Sequence, residues 1–568
     1  MQRRLPIILL VILLVVTAIR CARLLDGGIA TGDEALTALR SLGLLEKGHS
    51  WTPYWNGEPD VHKPPLYYWM VAVGYSMLGV GELAVRLPSV LALLCLLVLT
   101  CRLGSLVFDT WTGLLAALLV ALHPTLLAQS CVGMLDTTMI ALSLGAAVFL
   151  LLSDDQPRSF LGWGLCCGLA LLTKGEGAVP ILPVSFLFLL LARRGAFRQP
   201  LLYAGLALAA VIAGAWFGSQ FFLHHDIFLK PHYQDFVDYR FKHSWRDVAL
   251  YLKSLRYLWA SWGGLAPFLV AAPVLVLLDF HGVMRKRKGA GGFAAETWFD
   301  RRQYAAVLIV LLGVVPLVMV SVVRQQKPWY MLPAIAPMAL FAARSVVSGF
   351  QARRALAGRV LPGLLLALGM MLPGVSAGPS AFPWLALGLS AASVLAGFRA
   401  TPALQRAGAA LFAGALAASA AASLSIANPH VNLVRRNDPT DIRRLAEMLP
   451  AKEDVPGPMV VNFRHYPLNT LMFYARRDSV QLRDFSSQPV APNARFVGVL
   501  SGGGSREFLS ELEVRSAGAH AGHEILVLRN PAGEAVVPAS ASGAPSAPGT
   551  GASGEQERGP PARGWRGR

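Results

Sequence analysis

Residues 86–103 read RLPSVLALLCLLVLTCRL, and residues 111–128 read WTGLLAALLVALHPTLLA. Each approaches the ~20 apolar residues that a helix needs to cross ~30 Å of hydrocarbon. Working outward, comparable runs lie near 5–24, 137–152, 160–173, 178–192, 201–223, 258–279, 303–323, 331–348, 360–377, 382–398 and 407–426. Hydropathy therefore predicts an α-helical polytopic membrane protein with about 13 transmembrane helices. The totals agree: 54% of the 568 residues are hydrophobic, only 15% are charged, and the mean hydropathy is +0.49. A soluble chain of this length would need more charge to cover its surface, and single soluble cores stop growing at ~250–300 residues.

The formal net charge is +18. Its basic residues fall in short clusters between apolar runs, which fits cytoplasmic loops under the positive-inside rule and excludes a nucleic-acid partner. With the N-terminus inside, alternation puts Arg102, Arg158, the Arg193-Arg194-Arg198 group, Arg285-Lys286-Arg287-Lys288 and Arg353-Arg354-Arg359 on one side. The segments 25–85, 129–136, 224–257 and 324–330, with a turn near 173–177, then face the periplasm of a cell inner membrane. Arg20 and Arg23 flank Cys21 where a signal peptide would place small residues, so the first run reads as an uncleaved helix. The six cysteines lie in or beside apolar runs without C-x-x-C spacing and imply no disulfide framework.

After Ile426 the composition changes. A helix is predicted over Thr440–Leu449, and short strands over Met459–Phe463, Arg495–Leu500 and Glu524–Leu528. The expected organisation is a transmembrane domain over 1–427, a small periplasmic α/β domain over 428–530, and a disordered Ala/Gly/Pro/Ser tail over 531–568.

The long first outer segment holds three ordered motifs: Asp33-Glu34 just after the first run, Lys63-Pro64-Pro65-Leu66-Tyr67-Tyr68-Trp69, and Gly79 through Glu82 and Arg86 to Pro88. This order and spacing resembles the first loop of the GT-C membrane glycosyltransferases. It is similar to bacterial relatives of the protein O-mannosyltransferases and to the lipid A aminoarabinose transferases. The resemblance weakens towards residue 340 and hardly enters 428–568.

The resemblance implies transfer of a sugar from a polyprenyl-phosphate carrier to an acceptor hydroxyl at the outer membrane face. The acceptor would be an envelope glycan, a lipid or a protein. A phosphate is already a good leaving group, so such a reaction needs a base for the acceptor and cations for the phosphate. The resemblance assigns the base, with inversion, to Asp33, and an orienting role to Glu34. An acidic pair capping a helix is the plainer reading of these two. Lys63 is the leading phosphate ligand, its backbone restricted by Pro64 and Pro65; the alternative is a snorkelling interfacial cation. Asp136, at the mouth of a run, fits a ligand for acceptor or sugar hydroxyls or a helix cap. Lys174, in Leu172-Thr173-Lys174-Gly175, and Arg324, Lys327 and Tyr330, in a later Lys-x-x-Tyr-x-Leu-Pro stretch, complete the set implied for the carrier. A divalent metal ion is weighed at His62, His224, His225 and His232, but the family's metal pattern is incomplete, because Val237 stands where its His would be. Rival functions are a lipid-linked sugar flippase and a polysaccharide ligase. The sequence shows no broken-helix repeat for the first and no late Arg/His-rich loop for the second.

Overall fold

The computed structural model describes residues 5–24, 28–29, 32–48, 51–121, 123–230, 301–321, 328–351, 439–462, 466–481, 491, 493–501, 512–520 and 523–530. The spans expected at 258–279, 360–377, 382–398 and 407–426, and the tail from 531, lie outside these residues. The chain divides into two compact units. One comprises 1–26, 48–53 and 60–432; the other comprises 27–47, 54–59 and 433–568.

The first unit is helical. Its elements are α1 (Leu5–Leu24), then, beyond α2 (Asp33–Glu46) of the other unit, α3 (Leu66–Leu78), α4 (Glu82–Val107), α5 (Thr110–Ala121), α6 (Pro124–Ser130), α7 (Leu135–Leu152), α8 (Ser159–Lys174), α9 (Ile181–Ala192), α10 (Pro200–Leu223) and the short α11 (His225–Leu229). Two further helices cover Arg301–Ser321 and Ile335–Gln351. Among the described residues α4, α7 and α10 are long and apolar enough to cross a membrane. The pair α8 and α9, bent by 105° at their junction, makes a fourth candidate.

The run expected over 111–128 is divided. Pro124 has no N–H to continue α5, so it opens α6, and His123 caps that helix by accepting the Leu126 N–H at 3.2 Å. Residues 66–78, within the first outer segment that was expected to form short amphipathic helices, form the apolar helix α3. It starts directly after Pro64-Pro65 and stops at Gly79, where φ is +81°. Its inner face buries Tyr67, Tyr68, Val71 and Tyr75. The Tyr67 hydroxyl lies 2.6 Å from Ser89 Oγ, and Ser89 donates to the Met134 carbonyl at 2.9 Å, which ties α3 and α4 to the turn before α7.

Helices α8 and α10 cross backbone to backbone. A Cβ added at Gly164 would lie 2.0 Å from the Gly205 carbonyl oxygen, and one at Gly205 would lie 2.2 Å from that of Phe160. Small residues permit this approach, the usual device where lipid removes the hydrophobic drive between helices. At the other end of α7, Arg193 donates to the Leu150 carbonyl and Ser153 Oγ and pairs with Asp154 at 2.8 Å. A cation there satisfies the unpaired carbonyls of a helix C-terminus.

The second unit is α/β. Strands β1 (Tyr54–Trp55) and β2 (Glu58–Pro59) make a hairpin. Strands β3 (Met459–Val461), β4 (Ser479–Gln481), β5 (Arg495–Ser501), β6 (Glu513–His520) and β7 (His523–Arg529) form one sheet in the order β4-β3-β5-β7-β6. β3 is parallel to β4 and β5, and the other pairs are antiparallel. Alternation sorts the core: Met459, Val461, Val497, Val499 and Ile525 face the helices Pro439–Glu447 and Tyr466–Ala475, while Val460, Leu500, Leu526 and Leu528 line the other face. The first-loop segments 27–47 and 54–59 belong to this unit, a difference from the expected organisation. Leu39 of α2 packs into the same core. The hairpin turn Asn56-Gly57, at φ +53° and +79°, has the twist that joins two strands tightly. Its Asn56 amide donates to the Ser479 carbonyl at 2.9 Å and accepts the Ser479 N–H at 2.7 Å, covering edge strand β4 as another strand would.

The helix crossing gives a stability prediction. Gly164→Val should destabilise the detergent-solubilised protein by about 3 kcal/mol or more, read as a lowered melting temperature. Gly218→Ala, on α10 with nothing within 4 Å of its Cβ, should not lower the melting temperature, since Ala is the better helix former.

Candidate functional site

The site of the first unit grows from the end of α8. That helix is apolar until its last residue, Lys174. Gly175 follows at φ +54°, a conformation L side chains resist, and a 3₁₀ turn over Gly175–Ala178 brings Glu176 back beside the helix end. The Lys174 ammonium pairs with the Asp136 carboxylate and stands 5.6 Å above the Tyr330 ring. Asp136 is the second residue of α7 and only 3% exposed. The N-cap of α7 is Met134, with no side-chain cap hydrogen bond, so Asp136 serves as a counter-ion to Lys174 rather than as the helix cap.

The second cation arrives from residues 60–65. Val61 is buried with Leu172 and Trp216 in a nest that also draws in Leu66, Trp69 and Phe217. Pro64 lies against Gly175, where an added Cβ would come within 3.6 Å of the proline ring. These contacts hold Lys63, whose ammonium pairs with Glu176. Both partners are partly buried, at 26% and 21% exposure, so Lys63 is an engaged ion rather than a cation reaching for water. Lys63, Asp136, Lys174 and Tyr330 are thus brought to one place. The two lysines and two carboxylates sum to zero charge.

An apolar groove of about 720 Å³ opens beside this cluster, between α8–α9 and α10. Leu171, Val179, Leu182, Leu206, Ala210 and Phe217 line it, and Glu176 is its charged wall residue. Nearby, Trp51 and Trp69 pack with ring centroids 5.6 Å apart. Trp51 Nε1–H donates to Ser219 Oγ at 2.5 Å, and Trp216 Nε1–H donates to the Trp51 carbonyl at 3.0 Å.

Asp33 and Glu34 open α2 in the second unit. Asp33 is exposed, whereas Glu34 is 2% exposed. Arg324 and Lys327 lie outside the described residues. Of the candidate metal ligands, His62 is exposed and its Nδ1 lies 2.7 Å from the buried carboxylate of Asp60. His224 caps the end of α10, and His225 meets the Phe221 ring edge-on at 4.6 Å. His232 lies outside the described residues. Among the described residues no group of three or more His, Cys, Asp or Glu side chains could hold a metal ion.

The sequence reading passed over Glu176 and Asp60. Glu176 carried a signal: it stands between Gly175 and Gly177, two residues beyond a cation already singled out.

Comparison with known proteins places these residues in context. Residues 62–217, which include Lys63, Asp136, Lys174 and Glu176, match the family described as dolichyl-phosphate-mannose-protein mannosyltransferase. The undecaprenyl phosphate-alpha-4-amino-4-deoxy-L-arabinose arabinosyl transferase of Pseudomonas aeruginosa strain UCBPP-PA14 is 29% identical over 343 residues, covering 56% of each chain. A transferase of the same description from Sodalis glossinidius is 30% identical over 341 residues, covering 55% of this chain and 54% of its own length. The chain spans about half the length of the curated relatives it matches. Among solved structures, ArnT from Cupriavidus metallidurans in the apo state superposes with a TM-score of 0.62 at 18% identity, over 91% of this chain and 97% of that one. The same protein bound to undecaprenyl phosphate gives 0.59 at 16% identity over the same shares. At these identities the likeness is one of fold.

Removing one member of a buried ion pair strands the other. Asp136→Leu and Lys174→Met should each destabilise the protein by about 3 kcal/mol. The double variant should recover most of that loss. Thermal unfolding of the four proteins closes the cycle, and additive losses would mean the pair is not coupled.

Proposed function

We propose that this chain, a GT-C-fold relative of the protein O-mannosyltransferases and the aminoarabinose transferases, moves a sugar from a polyprenyl-phosphate carrier to an acceptor at the outer face of a bacterial inner membrane. One observation carries the reading: two lysines, each held by a carboxylate, stand beside an apolar groove that is wide enough for a prenyl chain. The carrier has the same two parts, a phosphate and a hydrocarbon tail. In this assignment the tail lies in the groove between α8–α9 and α10, and the phosphate meets Lys63 and Lys174.

The chemistry follows from the change in charge. The carrier phosphodiester bears one negative charge. When the bond between the anomeric carbon and the phosphate oxygen breaks, its electron pair goes to that oxygen and the released prenyl phosphate bears a second charge. Two ammonium groups fixed beforehand stabilise this extra charge without reorganising at the moment of reaction. Glu176 and Asp136 hold the lysines in place while no carrier is bound, since an unpaired cation there would cost several kcal/mol. The acceptor oxygen forms the new bond to the anomeric carbon from the opposite face, which inverts it, and its proton passes to a carboxylate. We assign that base to Asp33, whose exposed position at the start of α2 leaves the carboxylate open to an acceptor. Asp136, engaged by Lys174, is less available for this step. The acceptor is an envelope glycan, lipid or protein hydroxyl.

The test is transfer by the full chain in nanodiscs, with a mixed pool of polyprenyl-phosphate sugars and an envelope acceptor fraction. Asp33→Asn should lower kcat by about 10²- to 10⁴-fold and leave carrier binding intact. Lys63→Ala should weaken carrier binding by about ten- to a hundredfold. Movement of carrier across the bilayer with no sugar transfer by the wild type would overturn the reading in favour of a flippase.

A further inference from the structure

We infer that the α/β unit is the positioning frame of the base-bearing helix α2, and that Tyr474 and Asn469 of the helix Tyr466–Ala475 are positioning residues for Asp33. The inference rests on the assignment of Asp33 as base. It gives the chain beyond residue 433 a part in turnover itself, where docking of the acceptor would be the simpler role for an appended domain.

The argument starts from the shape of α2. It is an amphipathic helix of 14 residues, so it is about 21 Å long. Asp33 is its first residue, and a small rotation of the helix would swing that carboxylate through ångströms. Three anchors oppose such a rotation, one at each end and one between. Just before the helix, the Ile29 N–H donates to the Tyr474 hydroxyl at 2.7 Å, and the Ile29 side chain is fully buried. In its middle, Leu39 packs into the core formed by Leu471, Met472 and the sheet. Near its far end, Gly43 touches the hairpin so closely that an added Cβ would lie 2.7 Å from the Tyr54 carbonyl oxygen. The hairpin is itself fixed to the same helix and sheet. Trp55 Nε1–H donates to Asn469 Oδ1 at 3.2 Å, and Asn56 pairs with Ser479 of β4.

The buried face of α2 completes the picture. Glu34, Ala35, Thr37, Ala38, Ser41 and Leu42 are all buried, while Asp33 is exposed. Neighbouring carboxylates therefore point in different directions: Glu34 is locked into the unit, and Asp33 projects from it. A segment needed only to link two domains would have no cause to enter the core of one of them. One whose first residue must hold a set direction would.

The experiment uses the full chain in nanodiscs and compares two variants acting at opposite ends of α2. Tyr474→Phe removes only the hydroxyl that receives the Ile29 N–H. Gly43→Ala forces α2 away from the hairpin. Each should lower kcat by about tenfold or more, the scale of a sub-ångström misplacement. Binding of undecaprenyl phosphate and the acceptor KM should stay as in the wild type, and Tyr474→Phe should keep its fold with a small drop in melting temperature from the unpaired Ile29 N–H. In an Asp33→Asn background, Tyr474→Phe should add no further loss in single-turnover transfer, because the group it positions is already gone. Wild-type kcat in both variants, with Asp33→Asn inactive, overturns the positioning role and leaves the base assignment standing. A raised acceptor KM at unchanged kcat overturns it in favour of acceptor docking. Full turnover by Asp33→Asn overturns the base assignment and this inference with it.

Discussion

The pairing of Lys174 with Asp136 is the constraint on which the first unit turns. An ammonium at the end of the apolar helix α8 is partly buried, and desolvating it alone would cost several kcal/mol. A carboxylate in the first turn of α7 answers it, so the end of α8 and the start of α7 must meet. The chain must then leave that meeting point sharply. Gly175 supplies the turn, which sets Glu176 where Lys63 can reach it and leaves a flat surface for Pro64. The start of α3 follows at once, since Pro65 is its N-cap. One ion pair thus fixes the relation of α3, α7 and α8, and Tyr330 closes over the same lysine from far along the chain.

Among the described residues the two lysines of this cluster are each matched by a carboxylate, and this bears on how it would work. Two bare lysines beside an apolar groove would bind any anion and would resist burial. Lysines already held by carboxylates bind a phosphate only by exchanging partners, so the net gain in binding is smaller than the contacts suggest. That is a useful economy in a transferase. Binding the ground state too tightly raises no rate, and the advantage lies in holding the doubly charged product-like phosphate better than the singly charged donor. In the proposed reaction Glu176 and Asp136 would keep the lysines in place at the cost of some ground-state affinity, and the groove would supply that affinity through the apolar tail instead.

Much of this was legible in the residues. Apolar runs located α4, α7 and α10 because a membrane-crossing helix has no other way to satisfy its backbone. Asp136 stood out because a charge at the mouth of such a run is expensive to place there, whereas Lys63, Lys174 and Tyr330 were implied by the resemblance of their motifs to those of the membrane glycosyltransferases. The sequence was silent where the decisive fact is a partner. Periodicity shows that residues 33–46 can form an amphipathic helix, but not which core its apolar face enters, and that core is built from residues more than 400 positions away. Glu176 was passed over for the same reason: an acidic residue in a turn means little until a lysine from residue 63 is seen to meet it. The division of the run at 111–128 was readable in principle, since Pro124 states it, and hydropathy averaging hid it.

The three motifs before residue 90 lie on a stretch of chain that is shared between the two units. The chain alternates between the units at residues 26/27, 47/48, 53/54 and 59/60 before it settles into the helical unit. Asp33 on one unit and Lys63 on the other are 30 residues apart in sequence, and every passage between the units in the first 60 residues beyond α1 lies around or between them. The acidic pair and the lysine motif are thus neighbours in sequence that belong to different units, and a reading of the first loop as one continuous element would have merged them.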